Sequence, residues 1–200
     1  MRTGVGNKLL LVIALACLQP NQLWAQNSCE ESDTQLFQKL LGTWHEYRLS
    51  DEALAAFETT LVEDEDLVGD EASSTESGTL IGTLNTELVA QGCALRQSFS
   101  SPDRSFSFES LAYLDPTGNW QETYAMSNGV VSQYRWVENE EELILEQIGV
   151  TGAARKRLVI FNMTETDYFV LDERSTDRGQ TWNRFELVKT VRVVEQAPAE

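Results

Sequence analysis

Chemistry at a protein site needs a nucleophile with its base, a metal cluster, an acid–base pair, or a fixed charge set against an apolar wall. His45 is the single histidine of the chain. A Ser–His–Asp triad would have to use it, and no Gly-x-Ser-x-Gly elbow accompanies it. A zinc site would need cysteines or further histidines beside it. Asp64, Asp66, Gly69 and Asp70 fit part of a calcium loop, but Val68 and Thr75 stand where carboxylates belong. No catalytic residue, metal or cofactor is therefore assigned. Glu122, Asp172 and Glu173 could supply an acid–base pair, yet a chain with 32 acidic residues yields such pairs by chance, and all three are read as surface charges. The scarcer arginines carry more information. Arg96, Arg135, Arg157 and Arg184 all fall in predicted strands. An inward arginine would hold a carboxylate or phosphate while Trp120, Tyr124 and Trp136 contact an apolar body. The competing reading pairs each arginine with an outer acid, or lays one over Trp44. The expected ligand-binding set is thus Arg96, Trp120, Tyr124, Arg135, Trp136 and Arg184.

The chain has 200 residues and a formal charge of −17, which suits one domain. Arg2 and Lys8, the apolar run Leu9 to Leu18 and the end Leu23-Trp24-Ala25 have the order of a secretory signal peptide, with cleavage after Ala25. The apolar run is too short to span a bilayer. Acylation at Cys17 is the rival reading. Residues 1–25 hold two bases and no acid, so removing them makes the charge more negative still. Nucleic acid and anionic membrane surfaces are poor partners for such a chain. Export places it in the periplasm or outside the cell. Cys29 and Cys93 then remain as an even pair in an oxidising compartment, the usual setting of a disulfide. Closing a loop of about 64 residues would contribute about 4 kcal/mol on the chain-entropy model.

Positioning elements come next. Ser32 and Asp33 can cap a short helix with Leu36, Phe37, Leu40 and Leu41 on its apolar face, stopped by Gly42. A first strand opens at Thr43. Residues 50–77 form an acidic insertion. Its start, from Ser50 to Phe57, has the pattern of a capped helix; the rest reads as a solvated segment able to act as a lid. Strands are predicted over 78–89, 93–101, 104–114, 119–127, 130–138, 141–149, 154–163, 167–174 and 180–193. Turn residues punctuate them, Asn128-Gly129 most strongly. With the strand at Trp44 they make about ten, in antiparallel sequence order with no helical crossovers. An up-and-down barrel removes the edges of so long a meander, and a two-sheet sandwich is the alternative. Period-two sorting puts Phe106, Phe108, Ser110, Ala112 and Leu114 on one face. Trp120, Glu122, Tyr124 and Met126 share another, as do Tyr134 with Trp136, and Tyr168 with Val170, Asp172 and Arg174. The expected domain runs over 26–193, with a flexible tail at 194–200.

Gly42-Thr43-Trp44 after a short helix, Gly92-Cys93-Ala94-Leu95, Leu114-Asp115-Pro116-Thr117-Gly118-Asn119-Trp120 and a closing Ser175-x-Asp177-x-Gly179-x-Thr181-Trp182 together resemble bacterial exported lipocalin-like (calycin-type) barrels of unknown function. The match covers about residues 35–190, with the acidic insertion as a departure. The resemblance implies that Trp44 plugs a closed end and meets an arginine from a late strand. It makes Gly42, Trp44, Asp177, Gly179 and Trp182 structural. Residues 175–182 also resemble the Asp-box turn of propellers, but a single copy without internal repeats gives no propeller and no sialidase. The functional expectation is a carrier of a small, hydrophobic or amphiphilic molecule. The alternatives are a small-barrel enzyme (isomerase, cyclase or decarboxylase type) and a partner-binding module without a ligand. Fold analogy alone decides none of these.

Overall fold

A computed structural model describes residues 37–63, 78–139 and 142–194. The signal peptide, Cys29, the Ser32/Asp33 cap, positions 64–77 of the insertion and residues 195–200 lie outside the described residues. The chain forms ten strands: β1 (Gly42–Arg48), β2 (Thr79–Val89), β3 (Ala94–Ser100), β4 (Ser107–Leu114), β5 (Trp120–Met126), β6 (Val131–Glu138), β7 (Leu143–Ile148), β8 (Arg155–Phe161), β9 (Asp167–Ser175) and β10 (Asn183–Arg192). Among the described residues a helix, α1 (Asp51–Glu63), follows β1 in the segment between β1 and β2. Each strand pairs antiparallel with its neighbour in sequence, and β1 pairs with β10, so the sheet closes into a barrel. The expected strands and their up-and-down order are all present.

Alternation along each strand separates an inner from an outer face. Leu84, Leu95, Phe99, Ala112, Tyr124, Tyr134, Trp136, Leu145, Ile160 and Tyr168 form one buried cluster inside the ring. Phe37 and Leu40 enter one end and complete it. Phe37 meets Trp120 and Trp136 edge-on at 4.5 and 5.1 Å between ring centroids, a favoured aromatic geometry. Gly82 faces inward where a Cβ would fall 2.2 Å from the Phe99 ring, so only glycine lets that ring lie against β2.

Trp44 is fully buried at the same end and donates its indole N–H to the Leu40 carbonyl at 2.8 Å. The Arg192 guanidinium lies 4.0 Å from the Trp44 ring centroid. It also donates to the carbonyls of Leu41, Lys39 and Glu165 at 2.5, 3.0 and 2.5 Å. Gly42 sits beneath it with φ +120, and a Cβ there would come within 2.6 Å of Arg192 Nη1. The Gly-x-Trp spacing is thus explained by one arginine crossing the seam between first and last strands.

α1 is capped by Ser50, whose Oγ accepts from the Ala53 N–H at 3.2 Å. Its Leu54 and Phe57 pack with Val159, Phe161, Leu171 and Leu187, which project from the outer wall; Phe57 stacks on Phe161 at 5.0 Å. This part of the insertion therefore covers the barrel's side and not its mouth. Apolar residues at alternate-parity positions of β8, β9 and β10 require such a cover. The closing turn is held by side chains. Asp177 accepts from the N–H groups of Gln180 and Thr181 at 3.0 and 2.9 Å, and Ser175 Oγ accepts from Gly179 N–H at 2.8 Å. Trp182 lies against Gly179 and under the Arg157 guanidinium.

Replacing Arg192 removes the stacked cation and three carbonyl partners together. Arg192→Ala should lower stability by roughly 2–4 kcal/mol, and Arg192→Lys should recover less than half, because an ammonium cannot span the same acceptors. Urea unfolding followed by near-UV dichroism measures both. A wild-type midpoint for the alanine variant would remove the seam's proposed weight.

Candidate functional site

The sequence-derived ligand set is divided between the two sides of the wall. Trp120, Tyr124 and Trp136 point into the lumen. Arg96 and Arg135 are on the outside, ion-paired across strands with Glu87 and with Glu146. Arg184 is near Glu173 at 3.9 Å, with its guanidinium 5.7 Å from the outer ring of Phe57. His45 is half-buried beside Tyr47 on β1.

The reading of the acids as surface charges does not hold. Glu122 is fully buried, and Asp172 and Glu173 are almost so. Glu173 faces outward and accepts from Arg157 at 2.5 Å. Asp172 faces inward near the open end, with Lys156 at 3.0 Å and Arg174 at 3.5 Å. Arg48 and Glu186 make another ion pair there. Glu122 has no cation. It lies opposite Ala112 on β4 and Tyr134 on β6, one pleat from Trp136. Ser110 Oγ donates to its Oε1 at 2.5 Å. The Tyr124 hydroxyl and Trp136 indole face the same carboxyl. Even so, Glu122 Oε2 and Trp136 Nε1 are both left without a hydrogen-bond partner.

Glu46, two residues beyond Trp44 on the same face of β1, is the second inward acid without a cation. It forms no ion pair among the described residues, and it remains half-buried although protein surrounds it. Burial first, and Glu186 second, push its pKa up to about 7. Burial pushes Glu122 up to about 7 as well, against the lowering effect of Ser110, Tyr124 and Trp136. Both acids also act on their surroundings: burial raises Tyr124, and the fields of Glu122 and Glu46 raise it further. Burial chiefly raises Tyr134 to about 12 and lifts Tyr168 further still.

The lumen is not sealed throughout. Val170, Val188, Leu158 and Phe108 share inward parity with the buried cluster, yet each keeps some exposure. A ten-stranded ring is also wider than the eight-stranded one that side chains just fill. Two shallow recesses lie on the outside. One, of about 380 Å³, crosses β2 to β5 and includes Asn85, Ser98, Ser100 and Glu109; the other, of about 300 Å³, lies beside α1. Neither contains a buried polar group without a partner. Among the described residues no group of three metal-ligating side chains is present, and no helix is long and apolar enough to cross a membrane.

The raised acids give a pH signature. Glu122 ionises near 4.5 in an unfolded chain and near 7 in the fold, so the native state holds more protons between those values. Stability must therefore fall as pH rises from about 4.5 to 7 and level off above. For Glu122 alone the loss is on the order of 3 kcal/mol. Asp103, Asp115 and Asp177, held down at about 2 by hydrogen bonds, act only at lower pH, where their stabilisation is lost. Glu122→Gln should shrink the stability difference between pH 5 and pH 8 in urea titrations; an unchanged difference would mean that Glu122 is not desolvated. No protein-family model matches the chain, and comparison with curated proteins returns no match.

Proposed function

We propose that this chain is an exported, lipocalin-like barrel that binds a small, partly hydrophobic molecule in its lumen. One observation carries the reading: the Glu122 carboxyl, fully buried without a cation, and the Trp136 indole that faces it miss a well-formed hydrogen bond among aromatic rings at the inner end of the barrel. An unsatisfied buried polar group costs roughly 1–3 kcal/mol, more when charged, and a ligand with an apolar body and a hydrogen-bond-donating head would satisfy the carboxylate. Pockets of this kind, mostly apolar with a few placed polar groups, are the usual form of small-molecule sites. The N-terminal segment supports export, and export supports a Cys29–Cys93 bridge.

A second reading rests on Glu122 as well. A carboxyl with a pKa near 7 beside Tyr124 and Ser110 has the poise of a general base. Turnover of a bound molecule would distinguish the two.

Native mass spectrometry of protein purified from its own periplasm or medium should show the mature chain, beginning at Gln26, carrying an additional small mass. The mature chain should also be two hydrogens lighter than its reduced form. N-phenyl-1-naphthylamine should fluoresce in the emptied barrel and be displaced by the released molecule. A bare mature mass together with no dye uptake would leave only a partner-binding module.

A further inference from the structure

We infer that the lumen selects an organic cation, an ammonium head on an apolar body, seated between Glu122 and Glu46 and walled by Tyr124, Tyr134, Tyr168 and Trp136. The inference rests on the luminal-carrier reading above and adds the charge of the occupant. Its first support is the distribution of charge along the barrel axis. At the open end the inward acids are matched: Asp172 by Lys156 and Arg174, Glu186 by Arg48. Deeper in, Glu46 and Glu122 have no salt bridge among the described residues, and Glu122 meets only the neutral donors Ser110, Tyr124 and Trp136. Arg192, the nearest luminal cation to the plug, is committed to Trp44 and three backbone carbonyls.

Second, the walls suit a cation. Tyr124 and Tyr134 meet edge-on at 5.2 Å, and Tyr168 lies 5.0 Å from Trp44. Aromatic faces attract an ammonium by roughly 0.5–2 kcal/mol each, most where water is excluded. An anion would instead face two carboxylates, and a neutral hydrocarbon would leave both acids as costly as before. Third, Glu46 and the inward valines Val170 and Val188 each keep some exposure on the wall shared by β1, β9 and β10.

Burial holds the pKa of both acids up at about 7. An arriving cation would pull them down and expel protons into solvent. The groups facing them are Glu186, Thr190 and Arg192 on β10, Tyr168, Asp172 and Arg174 on β9, Lys156 on β8, Tyr134 on β6, Ser110 on β4 and Arg48 on β1. The three tyrosines are all pushed upward and stay neutral.

The test uses three molecules of one shape: phenethylamine, 2-phenylethanol and 3-phenylpropanoate. Calorimetry on the mature protein, in two buffers of different ionisation enthalpy, reads affinity and proton release together. Phenethylamine should bind at pH 8 roughly tenfold tighter than the alcohol and should lose that margin at pH 5.5. At pH 7 its binding should release protons. Glu122→Gln and, separately, Glu46→Gln should each reduce the margin several-fold while near-UV dichroism stays native. If the alcohol or the carboxylate binds as well as the amine, the charge assignment falls and the carrier reading stands. If none binds and native mass spectrometry finds no occupant, the carrier reading falls and takes this inference with it.

Discussion

A meander of ten strands has two raw edges, and joining them is the condition on which everything else in this protein depends. Each edge would otherwise present a row of unpaired N–H and C=O groups. Here β1 meets β10 over Trp44 to Arg48, and the same residues pair with β2 on the other side. Arg192 works at that junction. Its guanidinium covers Trp44 and draws the carbonyls of Lys39 and Leu41 against the end of β10. Residues about 150 positions apart in sequence are thereby locked together. With the ring closed and one end plugged by Phe37 and Leu40, inward side chains have no way to reach bulk water except through the far mouth. Enclosure then makes any inward charge expensive.

That enclosure explains why the fold was more legible than the site. Alternation in β4, β5, β6 and β9, together with breaks such as Asn128-Gly129, places the strands within about three residues, because each signal is local. The aromatic lining follows from the same alternation: Trp120, Tyr124, Tyr134 and Trp136 fall on one parity. Arg135 lies between Tyr134 and Trp136, so its outward position was implied by the same rule. Glu122 lies between Trp120 and Tyr124 and was equally placed by parity. Its burial was obscured by composition, since an abundance of acids makes each one look like surface. Glu46, two residues past Trp44, carried the same readable signal. Arg192 was expected only as an unnamed late-strand arginine over Trp44, through the family resemblance. Its role is fixed by the register of β1 against β10, a contact between the ends of the chain that no window of sequence contains.

α1 sharpens the distinction between wall and mouth. A lid would need apolar residues aimed at the lumen, but Leu54 and Phe57 are spent on the outer patch of Val159, Phe161, Leu171 and Leu187. The patch exists because β8 to β10 are apolar on both faces, and a strand of that kind must be covered twice. α1 is therefore recruited to the outside, and among the described residues Arg48, Glu186, Lys156, Asp172 and Arg174 stand at the mouth.

The arrangement of those charges runs against what stability alone would favour. Counter-ions matter least where water can screen, and most where it cannot. In this barrel the acids near the mouth have bases beside them, whereas the acid that is fully buried meets only neutral donors, Ser110 foremost. A leucine at position 122 would meet a wall of Ala112, Tyr134 and Trp136 without the cost of desolvating a carboxylate. An acid retained there makes sense if it is neutral or matched during some part of the protein's working cycle. Protons can supply the first condition near neutral pH, and a cationic guest would supply the second. Both require an interior that something can enter, which ties the electrostatics of Glu122 to the open end of the ring.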